Sequence, residues 1–270
     1  MTSTPAPSFD IVAGDPESAV VLHVPHAATA IPADVRTRIL LDDHALAAEL
    51  RAITDAATDV VAARAAAAAL VRPWSFVNLL SRLVIDPERF TDSEQEGMDS
   101  IGMGAVYTST SELGPLRLAD PAYRGELLAR FFEPYADSLA DLVSARLAAH
   151  ERAVILDVHS YPREVLPYER HPQARRPPVC LGFDQGHTPE WLRERAIDAF
   201  RAWEPAVDQP FVGTYVPLRY YGHDHRVSSV MVEIRRDQYL DADGVPVVAE
   251  IERLGSALAS LIDAAGAVVA

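Results

Sequence analysis

The chain has 270 residues, enough for one large α/β domain or two small ones and for a sizeable buried core. Lys and Arg total 24 against 39 Asp and Glu, a formal net charge of −15; this argues against binding a phosphate backbone or an anionic membrane but permits a small anionic substrate held by local arginines. The single cysteine, Cys180, excludes an intramolecular disulfide, no apolar run approaches a membrane span, and the first ten residues do not read as a signal peptide.

The expectation from these bounds is a cytoplasmic enzyme or binding protein, with no nucleic-acid or membrane partner. Nothing in the sequence fixes an oligomeric state. Ala19 to Val24, apolar and closed by Pro25, predicts a buried first strand. Asp42 or Asp43 can cap a helix with Leu46, Leu50 and Ile53 on one stripe, and the alanine-rich run from Ala56 to Leu70 predicts a second helical stretch. Arg72-Pro73 stops it, and Trp74 to Leu80 reads as extended. Residues 87–119, rich in Pro, Asp, Glu, Gly and Ser, lack periodicity and suggest a long active-site loop. Asp120-Pro121 starts a helix running to His150 with a kink at Pro134. Strands are expected at Ala153–Val158, Pro178–Phe183, Phe211–Val216 and Val227–Ile234. A helix follows Thr188-Pro189, and an amphipathic helix from Val248 to Ala264 closes the chain. Strands alternating with helices predict a single α/β domain over residues 1–270, its central sheet mostly parallel or mixed and covered by helices on both faces.

In such sheets ligands bind beyond the carboxyl ends of strands. Three polar constellations fall there: His23-Val-Pro-His26, Asp157-Val-His-Ser160, and Tyr221 to Arg236. His23 lies within an apolar run and reads as a satisfied core histidine, whereas His26 lies past the strand and is the better ligand candidate. Asp157 and His159, two apart on a strand, share a face, so the carboxylate can orient the imidazole or join it around a metal. Asp55 has two readings. It is solvated if Asp42 to Leu70 is one helix, and free to be aimed elsewhere if the helix breaks near Thr54. Glu233, on a buried-looking strand, is either paired with Arg235 or Arg236 or kept for proton transfer. Arg82 and Arg89 could bind a substrate carboxylate or neutralise Asp86 and Glu88. There is no Gly-rich phosphate loop, no GxSxG elbow and no cysteine pair for structural zinc, and Cys180 reads as core.

Taken in order, Val24 to Pro32, Glu49 to Asp59, Ser81 to Arg89, Gly102 to Tyr107, Leu156 to Ser160, Tyr221 to Arg226 and Met231 to Asp237 resemble the N-formylglutamate amidohydrolase family, relatives of the zinc carboxypeptidases. The likeness runs from about Val20 to Tyr239. It implies a zinc ion held by His26, Asp55 and His159, with Glu233 as catalytic base and Arg82 and Arg89 holding substrate carboxylates. His223 and His225 then stand either as groups stabilising the tetrahedral oxyanion or as solvated loop residues. One departure is that the compact HxxE of carboxypeptidases is missing, because position 29 is Thr29; the carboxylate ligand must come from elsewhere. The implied reaction is hydrolysis of N-formyl-L-glutamate to formate and L-glutamate. The alternatives are a zinc amidase or peptidase acting on another N-acyl amino acid or small amide, and a non-catalytic carboxylate-binding protein on the same scaffold.

Overall fold

Apolar residues on both faces of the longest strands put each face of the sheet against helices. The computed structural model describes residues 7–267. Its seven strands are β1 (Phe9–Val12), β2 (Val20–Val24), β3 (Trp74–Asn78), β4 (Ala153–Tyr161), β5 (Val179–Gly182), β6 (Ala206–Val207) and β7 (Val227–Arg235). They form one sheet in the order β1-β3-β2-β4-β7-β5-β6. The sheet is mixed: β3, β2, β4 and β7 are mutually parallel, while β1 is antiparallel to β3 and β5 to β7.

The helices are α1 (Ala33–Arg36), α2 (Asp43–Ile53), α3 (Thr58–Ala68), α4 (Pro121–Leu127), α5 (Glu133–His150), α6 (Glu190–Ala199) and α7 (Val248–Gly266). Val20, Leu22 and Val24, with Val154, Leu156 and Val158 and Val230, Val232 and Ile234, pack against α3, α6 and α7 in one core. The alternate residues Val21, Ala153, Ile155 and Val227 pack against Tyr135, Leu139 and Val143 of α5. Helices therefore cover both faces, as the alternation of elements predicts. Toward the carboxyl ends of β4 and β7 the α5-side positions turn polar: Asp157, His159 and Glu233. This change of side chain along one face places the site.

Asp42 caps α2 by accepting from the Ala45 amide, and Asp120 caps α4 by accepting from Ala122 and Tyr123. The kink read at Pro134 is a single π turn, Leu128–Phe132, joining α4 to α5. Pro134 has no N–H for the Arg130 carbonyl, so the ladder widens just ahead of it. Residues 87–119 carry little regular structure but are well packed. Met98, Met103, Tyr107 and Leu116 join Ile39, Leu46, Ile53 and Leu83 in a separate core. Glu49 of α2 fixes the segment by accepting from both the amide and the hydroxyl of Ser111, each at 2.7 Å. At Gly102 φ is +78°, and an added Cβ would lie 2.3 Å from Ser109 Oγ, so this turn requires glycine.

The expected strand at Phe211–Val216 does not form; among the described residues that edge of the sheet is Ala206–Val207. Pro210 and Pro217 bracket the segment, and proline cannot donate to a ladder. Its backbone is satisfied by side chains instead. Cys180 Sγ donates to the Phe211 carbonyl, Ser229 Oγ to that of Tyr215, and the Tyr215 amide donates to Asp157 Oδ2. Gly182 permits the crossing, since a Cβ there would stand 2.1 Å from the Gly213 carbonyl oxygen. The short elements β1 and α1 were not anticipated from the sequence.

Candidate active site

Parallel pairing sets the frame. Asp157 of β4 lies between His23 of β2 and Met231 of β7, and His159 lies beside Glu233. His26 follows Pro25 out of β2, and Asn78 Nδ2 pins that turn by donating to the Pro25 carbonyl at 2.8 Å. The helix does break at Thr54, whose backbone is extended, and α3 restarts after Ala57, which sits in the left-handed region with φ +62°. The Asp55 amide donates to the His26 carbonyl at 3.0 Å. Arg236 donates to the Ala52 and Arg51 carbonyls that close α2 and sets Nη2 3.5 Å from Asp55 Oδ1. Asp55 is thus turned inward and buried, not solvated.

His26, Asp55 and His159 converge there. His26 Nδ1 is 3.3 Å from His159 Nδ1 and 3.7 Å from Asp55 Oδ2, and His159 Nδ1 is 3.1 Å from Asp55 Oδ2. Three donors on a tetrahedral cation with bonds of about 2.0–2.1 Å are separated by about 3.3–3.4 Å. These residues could therefore hold a metal ion. Their outer contacts suit the task. His26 Nε2–H donates to Asp86 Oδ1 at 2.9 Å, which leaves Nδ1 as the lone-pair nitrogen facing the cluster. His159 Nε2 lies 3.1 Å from Asp157 Oδ1.

Asp86 is itself held by Arg82 Nη2 and the Tyr107 hydroxyl, both at 2.6 Å, with Arg89 Nε at 3.5 Å. Burial raises its pKa, but Arg82 and His26 overcome this and hold it well below the usual carboxylate range. Burial and Arg82 lower the His26 pKa, yet Asp86 and Asp55 outweigh them and raise it overall; His159 is raised well above its ordinary value by Asp157 and Glu88 against burial. Both imidazoles thus sit in a negative potential. The carboxylates of Asp55, Asp86, Glu88 and Asp157 crowd them, with the guanidiniums of Arg82, Arg89 and Arg236 nearby, a setting that suits a cation.

Glu233 is buried, and its Oε2 has no hydrogen-bond partner. Its neighbours Arg235 and Arg236 turn to Asp237 and to Asp55 respectively, so neither pairs with it. Burial pushes its carboxyl up to about 8, with His159 pulling the other way. His23 is a satisfied core histidine. Its Nδ1–H donates to Asp157 at 2.8 Å, and the Tyr135 hydroxyl donates to its Nε2 at 2.6 Å.

A cavity of about 760 Å³ opens above this floor, lined by His26, Asp55, Arg82, Arg89, His159 and Glu233 among others. Of the sequence-read site residues, His223 and His225 are not brought there. His223 is exposed, its ring nitrogens facing the Tyr221 and Arg219 carbonyls at 2.9 and 2.7 Å, and His225 Nδ1 lies 2.8 Å from the Gly186 carbonyl. The turn that carries them directs their rings away from the cavity. Sequence reasoning missed Glu88, whose Oε2 stands 3.3 Å from His159 Nε2 and 3.8 Å from His26 Nδ1. It also missed Tyr107, which reaches Asp86 from the 87–119 segment, and read Arg236 only as a partner for Glu233, whereas it turns to Asp55 from the end of β7.

Residues 18–240 match the family model of N-formylglutamate amidohydrolases. The chain belongs to the N-formylglutamate amidohydrolase family. It is an amidohydrolase by that membership. A solved N-formylglutamate amidohydrolase from Ralstonia eutropha superposes with a TM-score of 0.78 at 20% identity, over 95% of this chain and 96% of that one. A gene product of Agrobacterium tumefaciens gives 0.72 at 19% identity, over 96% and 95%. At these identities the likeness is one of fold, and it matches the mixed sheet with helices on both faces. No curated protein matches the sequence. No described helix of this amidohydrolase is long and apolar enough to cross a membrane.

Proposed function

We propose that the chain is a zinc-dependent hydrolase of N-acyl amino acids. N-formyl-L-glutamate, giving formate and L-glutamate, is the member its family name points to. The observation that carries this is the convergence of His26 Nδ1, His159 Nδ1 and Asp55 Oδ2 at 3.1–3.7 Å beside an unpartnered Glu233. His26, Asp55 and His159 would hold the ion, and the open position left by three protein ligands is what zinc uses to polarise an amide carbonyl and acidify water.

The chain's own residues supply the rest. Glu233 is the general base: it takes a proton from the attacking water and passes it to the leaving amine nitrogen. Its free oxygen and its burial fit that task better than a structural pairing. Asp86 orients the His26 imidazole through its Nε2 atom, and the Asp157 carboxylate stands 3.1 Å from His159 Nε2. Arg89, whose side chain is 27% exposed on the cavity wall, takes the substrate carboxylate, with Arg82 behind it shared between that carboxylate and Asp86.

The test is a panel of N-formyl and N-acetyl amino acids, assayed for free amine before chelation, after chelation and after zinc is restored. Turnover that is lost on chelation and returns with zinc supports the reading. Turnover indifferent to chelation, with the protein shown to be metal-free, contradicts it.

A further inference from the structure

Glu88 has no task in the mechanism above, yet it stands on the cavity wall beside the cluster. Its Oε2 is 3.8 Å from His26 Nδ1, the nitrogen turned to the cluster, and 3.3 Å from His159 Nε2, while its Oε1 is 3.6 Å from His23 Nδ1. None of these imidazoles satisfies it. His23 gives its Nδ1–H to Asp157 at 2.8 Å, and His26 carries its hydrogen on Nε2 and gives it to Asp86. His159 Nε2 lies nearer to Asp157, at 3.1 Å. Arg82 and Arg89 both turn to Asp86, and among the described residues no guanidinium comes within ion-pair distance of Glu88. Oε1 is buried without a hydrogen-bond partner, and the side chain keeps 17% exposure. A carboxylate can only accept, and one left without a donor at the edge of a reaction cavity calls for a donor from the ligand.

We infer that Glu88 accepts the N–H of the scissile amide and then holds the ammonium of the released amino acid, so that with Arg89 it reads an α-amino acid by both its charged groups. This rests on the amide-hydrolase reading given above. An α-amino acid carries nitrogen and carboxylate on one carbon, so the groups that recognise them must stand side by side. Glu88 and Arg89 are consecutive, both line the cavity, and Asp86 braces both. The Glu88 amide donates to Asp86 Oδ1 at 3.2 Å, and Arg89 Nε lies 3.5 Å from its Oδ2. With the α-carboxylate on Arg89 and the amide carbonyl over the His26–Asp55–His159 cluster, the nitrogen between them falls to Glu88. Glu88 moves no proton; that transfer stays with Glu233. Its contact strengthens as the nitrogen gains positive charge, so it favours the departing amine over the intact amide.

The experiment measures equilibrium binding of L-glutamate and of glutarate, which has the same two carboxylates and no nitrogen, to zinc-loaded wild type, Glu88→Gln and Glu88→Ala. Bound zinc and hydrolysis of N-formyl-L-glutamate are followed on the same samples. A hydrogen bond between charged groups is worth roughly 10- to 100-fold in affinity. The preference of the wild type for glutamate over glutarate should therefore shrink by at least about tenfold in both variants. Zinc content should stay at the wild-type level, and glutarate should bind no more weakly, because a carboxylate near its own has been removed. If the preference is unchanged in both variants, the inference falls while amide hydrolysis stands. Loss of zinc from both variants would make Glu88 a support of the metal cluster and would also overturn it. If zinc-loaded wild type leaves N-formyl-L-glutamate intact yet its preference for glutamate still depends on Glu88, the amino-acid contact stands and the hydrolase reading falls.

Discussion

At Asp86 a fully buried carboxylate accepts from His26, Tyr107 and Arg82 at once. Because it fixes which nitrogen His26 offers to the cluster, Asp86→Asn should weaken zinc affinity by about 10- to 100-fold, read by chelator competition. Unchanged affinity would mean that His26 needs no such support. The arginines that hold Asp86 separate by exposure. Arg89→Ala should raise KM for a carboxylate-bearing amide, and raise it less for an uncharged analogue, with zinc content unaltered. Arg82→Ala should do the same and also loosen zinc, because Arg82 makes the 2.6 Å contact to Asp86. Equal losses on charged and uncharged substrates would assign Arg89 to structure alone. His26, His159 and Glu233 could be singled out from sequence because each sits at or just past the end of a readable strand. Asp86 could be read only as a partner for arginines. Its contact with the Tyr107 hydroxyl spans 21 residues of unpatterned loop. The clustered histidines His223 and His225 gave a signal that the turn cancels, by pointing both at backbone carbonyls.

Among elements, the strands and helices with clear patterns form as read: β2 and β4 are fully buried and begin as continuous apolar runs, β7 alternates around Glu233, and α2 and α7 carry apolar stripes. The misread element is instructive. Phe211–Val216 has the composition of a strand, but two flanking prolines and the Cys180, Ser229 and Asp157 side chains hold it as a loop across the site. The break after α2 was left open by sequence because it depends on Arg236 capping carbonyls 184 and 185 residues earlier. Elsewhere on α2, Glu49 anchors the 87–119 segment through Ser111, and its pKa is raised from 4.5 by burial, with the two Ser111 bonds opposing. A carboxyl raised in the folded state lends its stability fully below the unfolded pKa and loses it as pH climbs through the folded value. Relative to Glu49→Gln, the wild-type protein should therefore lose stability as pH rises from about 4.5 and level off above the raised value. Urea unfolding at several pH values checks this, and a pH-independent difference between the two proteins would contradict it.

For the whole molecule, a formal charge of −15 and carboxylates crowded around two buried imidazoles would favour a dication at the His26–Asp55–His159 cluster of the folded state. A ligand that binds only the folded state stabilises it by mass action, about 2.7 kcal/mol at a hundredfold excess over Kd. For a chain of this size that corresponds to a rise of roughly 5–10 °C in Tm. Chelation should lower Tm by about that amount and zinc should restore it; a Tm unmoved by both would show that the cluster binds no ion. The central claim is that Glu233 serves as base beside that cluster, and it is tested most directly by hydrolysis of an N-acylglutamate by Glu233→Gln, with bound zinc measured on the same sample. The rate should fall by roughly 10²–10⁴-fold while zinc content and Tm stay at wild-type levels. A zinc-loaded Glu233→Gln protein that melts lower and turns over at the wild-type rate would contradict the account.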